Sequence, residues 1–154
     1  MRAVIQRVHQ ASVTANGTPA GACGTGLLIL LGVARGDTEE DALCLAEKIS
    51  KLRIFSDANG KMNLSVCDIG GGALVVSNFT LHAAYAKGNR PDFFAAESPA
   101  AAKDLYDSFS RLLAERIGHI GTGVFGADMQ ISATLDGPVT IVMDSDVLRK
   151  GGKG

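Results

Sequence analysis

Polar groups are thinly spread through the apolar parts of this chain, so the places where they gather are where chemistry is to be sought. Ser77-Asn78-Phe79-Thr80 is one: two hydroxyls, an amide and an aromatic ring interrupt the apolar series Ala73-Leu74-Val75-Val76. A strand end of this kind can aim backbone N–H groups at a carbonyl oxygen that gains negative charge during acyl transfer. Ser77 and Thr80 are also candidate nucleophiles. A hydroxyl needs an adjacent base, however, and His9, His82 and His119 stand in no triad arrangement. From these residues alone the better reading is a strand end closed by hydroxyl hydrogen bonds.

Asp136-Gly137-Pro138 is a second place. Asp-Gly between two apolar runs ordinarily marks a two-residue hairpin turn, but closing that turn needs an N–H that Pro138 lacks. The spacing predicts a turn with a cis Gly137-Pro138 bond, against a trans bond in a bulge or wider loop, and such a loop is a candidate ligand clamp. Arg7 sits in an apolar opening strand. A guanidinium is expensive to bury unless carbonyls or carboxylates take its donors, so an inward Arg7 would brace another segment. Gly121-Thr122-Gly123-Val124-Phe125-Gly126 has the outline of a dinucleotide loop, yet a strand follows where that fingerprint needs a helix. It reads instead as a flexible loop offering Phe125, with Met129 beyond it, to a nucleobase or, more ordinarily, to the core. Lys87 and Arg90 are candidates for a phosphate patch shared with the C-terminal cations. The histidines show no metal-ligand spacing and read as surface or satisfied core positions rather than zinc ligands.

Periodicity supplies the elements that must hold these groups. Val4, Ile5, Val8 and Val13 mark a first strand from Met1 to Ala15, Asn16-Gly17 a hairpin, and Thr18 to Ala22 a returning edge strand that carries Pro19. Leu27 to Val33, without a polar residue, predicts a central strand covered on both faces. Thr38 caps a helix whose first turn holds Glu39, Glu40 and Asp41 and whose face is read as Leu43, Ala46, Ile49 and Leu52. Asn59-Gly60 marks another hairpin and Gly70-Gly71-Gly72 a loop, after which Ala73 to Leu81 reads as a strand. Ser98-Pro99 opens a long helix that Gly118 ends, with Ala102, Leu105, Tyr106, Phe109, Leu112, Leu113 and Ile117 on one stripe. Two strands, Met129 to Leu135 and Val139 to Met143, flank the Gly-Pro turn, and a mobile basic tail occupies about 146–154.

The 154 residues suit one α+β domain, β-rich because 19 glycines imply many tight turns. No apolar run is long enough for a membrane span and the opening is no signal peptide, which predicts an intracellular, cytoplasmic protein. Cys23, Cys44 and Cys67 are too scattered for a disulfide scaffold and are read as packing residues. A net charge of −1 supplies no global field towards a polyanion, so any nucleic-acid contact must be local.

The opening Met1-Arg2-Ala3-Val4-Ile5-Gln6-Arg7-Val8 is followed in order by Gly36-Asp37-Thr38, Lys51-Leu52-Arg53-Ile54-Phe55 and Gly60-Lys61-Met62-Asn63. Then come Ser77-Asn78-Phe79-Thr80-Leu81, Lys87-Gly88-Asn89-Arg90-Pro91, Thr122-Gly123-Val124-Phe125-Gly126-Ala127 and Gly137-Pro138-Val139-Thr140. With these motifs the chain resembles the D-aminoacyl-tRNA deacylases over nearly its whole length. The resemblance implies barrel-like mixed sheets with two main helices packed outside. It implies a homodimer that, without a cofactor, hydrolyses the ester joining a D-amino acid to the 3′-terminal ribose of tRNA. It places a cis Gly137-Pro138 in the partner's pocket as a barrier to L side chains, with Arg7 holding it. Backbone N–H groups at Phe79 and Thr80 serve as an oxyanion hole, the ribose 2′-hydroxyl being preferred to Thr80 as the activating group, and Phe125 and Met129 hold the terminal adenine. Three positions depart from the family pattern: Asn78 where Gln is usual, Leu135 where Asn is usual, and Asp92 where Ser is common. Two alternatives follow, a related deacylase clearing glycine or a small L-amino acid and a non-catalytic tRNA-binding dimer.

Overall fold

In the computed structural model, which describes residues 1–151, the opening apolar alternation forms one long strand, β1 (Arg2–Ala15). Ala3 and Ile5 face one core, whereas Val8, Ala11 and Val13 face another, so the buried side of the strand changes at Arg7. Asn16 (φ 50°) and Gly17 (φ 79°) turn the chain into β2 (Thr18–Cys23), which pairs with the second half of β1. Both residues lie in the left-handed region that a two-residue hairpin requires.

β3 (Gly26–Gly32) pairs antiparallel with the first half of β1 and parallel with β6 (Gly72–Ser77), which pairs parallel with β7 (Ile120–Thr122). Leu27, Ile29 and Leu31 belong to the core under the helices, and Leu28 to the core on the opposite face, which explains the unbroken apolar run. β8 (Met129–Asp144) pairs with the other edge of β1 along its whole length. The sheet curls until β2 approaches β7. There a glycine on each strand admits the other's backbone: a Cβ on Gly121 would lie 2.5 Å from the carbonyl oxygen of Ala22, and one on Gly21 would collide with the Thr122 backbone. No β2–β7 ladder forms among the described residues, so the barrel is nearly but not fully closed.

Two main helices cover the outside, α1 (Glu39–Ser50) and α2 (Pro99–Ile117). Thr38 caps α1, its backbone N–H and hydroxyl both donating to Asp41. α2 opens on Pro99 and stops at Gly118 (φ 80°). Between them lies a small hairpin, β4 (Phe55–Ser56) and β5 (Met62–Leu64).

Several expectations need correction. The buried face of α1 is Ala42, Leu45, Ala46 and Ile49; Leu43 is exposed and Leu52 follows the helix end. The strand read as 73–81 stops at Ser77, where Phe79–His82 form a 3-10 turn. Asp136-Gly137-Pro138 does not reverse the chain. Residues 129–144 are one strand, and between the pairs Gln6–Thr140 and Val8–Leu135 the segment opposite Arg7 bulges out, its Gly137–Pro138 peptide cis. Pairing with β1 on both sides of the bulge keeps the direction that a turn would have changed. Of the proposed mobile tail, Ser145–Gly151 form a helix, α3, tied down by Arg149 against the buried carboxylate of Asp41 and by Leu148 on the core. Residues 152–154 lie outside the described residues. Cys23 is buried, but Cys67 is exposed, its thiol set against the Ser50 and Arg116 carbonyls rather than in a core.

Candidate active site

The parallel ladder carries β6 outward until the Asn78 N–H, bonded to the Leu31 carbonyl at 2.8 Å, makes its last rung. The chain then tightens into the 3-10 turn. Leu81 and Ala83 donate back to Asn78 and Thr80, but the N–H groups of Phe79 and Thr80 find no acceptor among the described residues. They are the unpaired donors that any helical turn leaves at its start. The Thr80 hydroxyl donates to the amide oxygen of Asn78, and no histidine or carboxylate bonds Ser77 or Thr80. Of the groups predicted to act here, the turn therefore offers two free amide donors and no activated hydroxyl.

Beside the turn a cavity of about 240 Å³ opens between β6 and the loop after β7. Ser77, Asn78 and Phe79 line one wall, Phe125 and Met129 another, so five residues singled out from the sequence meet at one place. Gly123 permits this closeness: a Cβ there would stand 2.7 Å from the Met129 sulfur. Tyr106 also lines the cavity. Its ring lies 5.8 Å from that of Phe125, and its hydroxyl donates to the Val75 carbonyl at 2.8 Å, an oxygen that also accepts the Gly123 N–H at 3.0 Å. Burial pushes the Tyr106 phenol up to about 12, so it is a neutral donor. Sequence reasoning counted Tyr106 only as one member of an apolar stripe. The signal for its role is a phenol, which needs a partner, among aliphatic and phenylalanine neighbours.

Arg7, Gly137 and Pro138 are elsewhere. The Arg7 side chain is largely buried; its Nη1 donates to the Ile54 carbonyl at 2.7 Å and its Nε lies 2.9 Å from an Asp136 carboxylate oxygen. It thus straps the bulge to the segment after α1, as a buried guanidinium must if its donors are to be satisfied. Gly137 and Pro138 are exposed. In strand register, Arg7 is level with Leu27 and Ala73, four residues before Ser77. At ordinary strand spacings the bulge is roughly 13 Å along and about 14 Å across from the end of β6. One chain does not bring the two halves of the predicted site together.

Lys87 and Arg90 project from the loop after the turn. Of the C-terminal cations they were expected to join, Arg149 is engaged by Asp41 and Asp146 instead, and Lys153 lies outside the described residues. Among the described residues no cluster of three metal-ligating side chains occurs, and no helix is long and apolar enough to cross a membrane.

A family model described as D-Tyr-tRNA(Tyr) deacylase matches residues 4–144. A D-aminoacyl-tRNA deacylase of Chloroflexus aurantiacus is 59% identical over 149 residues, 97% of this chain and 93% of that protein. One from Akkermansia muciniphila is 57% identical, covering 94% of this chain and 97% of that protein. Among solved structures, a c-Myc DNA unwinding element binding protein matches with a TM-score of 0.87 at 42% identity, over 94% of this chain and 98% of that one. A probable eukaryotic D-amino acid tRNA deacylase shares the fold, with a TM-score of 0.79 at 16% identity, over 92% of this chain and 97% of that one. With the family model spanning nearly the whole barrel and relatives this similar from end to end, the chain belongs to the D-Tyr-tRNA(Tyr) deacylase family.

Proposed function

We propose that this protein hydrolyses the ester between a D-amino acid and the 3′-terminal ribose of tRNA, water supplying the hydroxyl that ends on the free amino acid. The observation that carries the reading is the pair of unused N–H groups at Phe79, which lines the cavity, and at Thr80 next to it, with no base beside the Ser77 or Thr80 hydroxyl. Such donors stabilise the tetrahedral oxyanion without touching the nucleophile. The nucleophile is then water, positioned with help from the neighbouring ribose 2′-hydroxyl. The terminal adenine occupies the cavity between Phe125 and Met129.

Chirality is read by Gly137 and Pro138 of a second copy. Their exposure and their distance from Phe79 within one chain support a site completed between subunits, and Arg7 is the positioning residue for that bulge. β8 offers the means of association: its outer edge is unpaired among the described residues, and Ile131, Leu135 and Val142 on it are exposed. The working form is a homodimer in the cytoplasm. The test is release of amino acid from D-Tyr-tRNA and L-Tyr-tRNA by the purified protein. Release of D-tyrosine alone is expected; release of neither, or of both at similar rates, overturns the proposal.

A further inference from the structure

Continuous with the cavity mouth is a strip of exposed rings and cations. Phe79 is 59% exposed and meets Phe93 edge-on at 5.0 Å; Phe94 is 77% exposed and Tyr85 79%. Rings this open forfeit burial unless something covers them. Between Tyr85 and Phe94 the loop is drawn shut by reciprocal bonds between Ala84 and Asp92, both at 2.9 Å, which hold Lys87 and Arg90 on one short arch. The Asp92 carboxylate, the one acid of the arch, is turned back to accept the Phe94 N–H. Every other arginine donates to a carbonyl, hydroxyl or carboxylate, whereas Arg90 and Lys87 make no ion pair or side-chain hydrogen bond among the described residues.

We infer that this strip binds the single-stranded nucleotides immediately 5′ of the esterified one, bases stacking on Tyr85 and Phe94 and phosphates pairing with Lys87 and Arg90. The inference rests on the deacylase reading for the identity of the strand. π-Faces interleaved with unpaired cations form the general footprint for single-stranded nucleic acid, tolerant of sequence because every base has a face to stack. The strip also resolves how a chain of net charge −1 attracts a polyanion, by concentrating uncompensated charge beside the cavity. A patch meeting its own copy across a twofold axis would set these cations against each other, which disfavours the same strip of a second protomer as the cover.

The experiment compares wild type, the Lys87→Ala/Arg90→Ala pair and Tyr85→Ala on two D-tyrosyl esters, the full tRNA and a single adenosine. Binding of uncharged tRNA at several salt concentrations and sedimentation of each variant complete it. For the tRNA ester, KM is expected to rise about tenfold or more in each variant with kcat held. The adenosine ester, which lacks the nucleotides concerned, is expected to show no selective loss, and the salt dependence of tRNA binding to flatten by roughly one phosphate contact per cation removed. Equal losses on both esters, no loss on either, or dissociation of the oligomer in Tyr85→Ala would overturn the inference. If wild type cleaves neither ester yet binds uncharged tRNA through Lys87 and Arg90, the deacylase reading falls and the strip stands; if it binds no tRNA, the strip falls.

Discussion

Thr80 offers a free backbone N–H beside Phe79, and its hydroxyl is spent on Asn78. Thr80→Ala is accordingly expected to lower kcat by less than about tenfold, since removing even one true oxyanion donor costs on the order of a hundredfold or more. Single-turnover hydrolysis of D-Tyr-tRNA measures this, and an abolished rate would mean that the hydroxyl attacks. Arg7 is the opposite case, a side chain that acts through its own donors, Nε and Nη1. Arg7→Ala leaves the Ile54 carbonyl unpaired and the Asp136 carboxylate with His9 alone beside it, and is expected to destabilise the protein by about 2–3 kcal/mol in a denaturant titration. It should also raise the relative rate on L-Tyr-tRNA, because the bulge loses its strap; Arg7→Lys restores the charge but not the fork. Both sets of residues were legible in the sequence for the same reason, a polar group where the local pattern calls for an apolar one. Tyr106 was not, because a phenol fits the periodicity of a buried stripe, and only packing shows which carbonyl it reaches.

Tyr106 joins three elements, α2 to the end of β6 and to the loop after β7, through the shared carbonyl of Val75. Its phenol sits at about 12 in the folded protein, above the ordinary value near 10 of an unfolded chain. The stability linked to this shift is fully present below pH 10 and is lost as the pH rises through 12. Linkage puts the loss at about 3 kcal/mol, visible as a fall in unfolding free energy that Tyr106→Phe abolishes. Most elements were legible where a local signal and the fold agree, as at Asn16-Gly17, Thr38, Ser98-Pro99 and Gly118. They were misread where tertiary pairing overrides the signal. Gly-Pro is a turn by composition, yet β1 pairs with β8 on both sides of it; the glycine-rich basic tail looks unstructured, yet Asp41 and the core capture α3.

For the molecule entire, the proposed function makes activity a property of assembly, because Phe79 and Gly137 lie apart within one chain. Leu135→Arg, on the exposed edge of β8, is expected to yield a folded monomer by sedimentation that has lost stereospecific hydrolysis; a monomer that still selects D over L would refute completion of the site between subunits. Periodicity and spacing do not display that complement, since pattern reports what a residue buries within its own chain; only the family resemblance implied it. The seam between β2 and β7 follows another logic. Their backbones meet at Gly21 and Gly121 without a hydrogen-bonded ladder, while every other junction around the barrel is stitched. Parting that junction sacrifices only dispersion contacts, so amide protons of β2 should exchange with deuterium ahead of those in β3 or β6. The cylinder has a built-in line of least resistance, and breathing under heat or denaturant should begin along it.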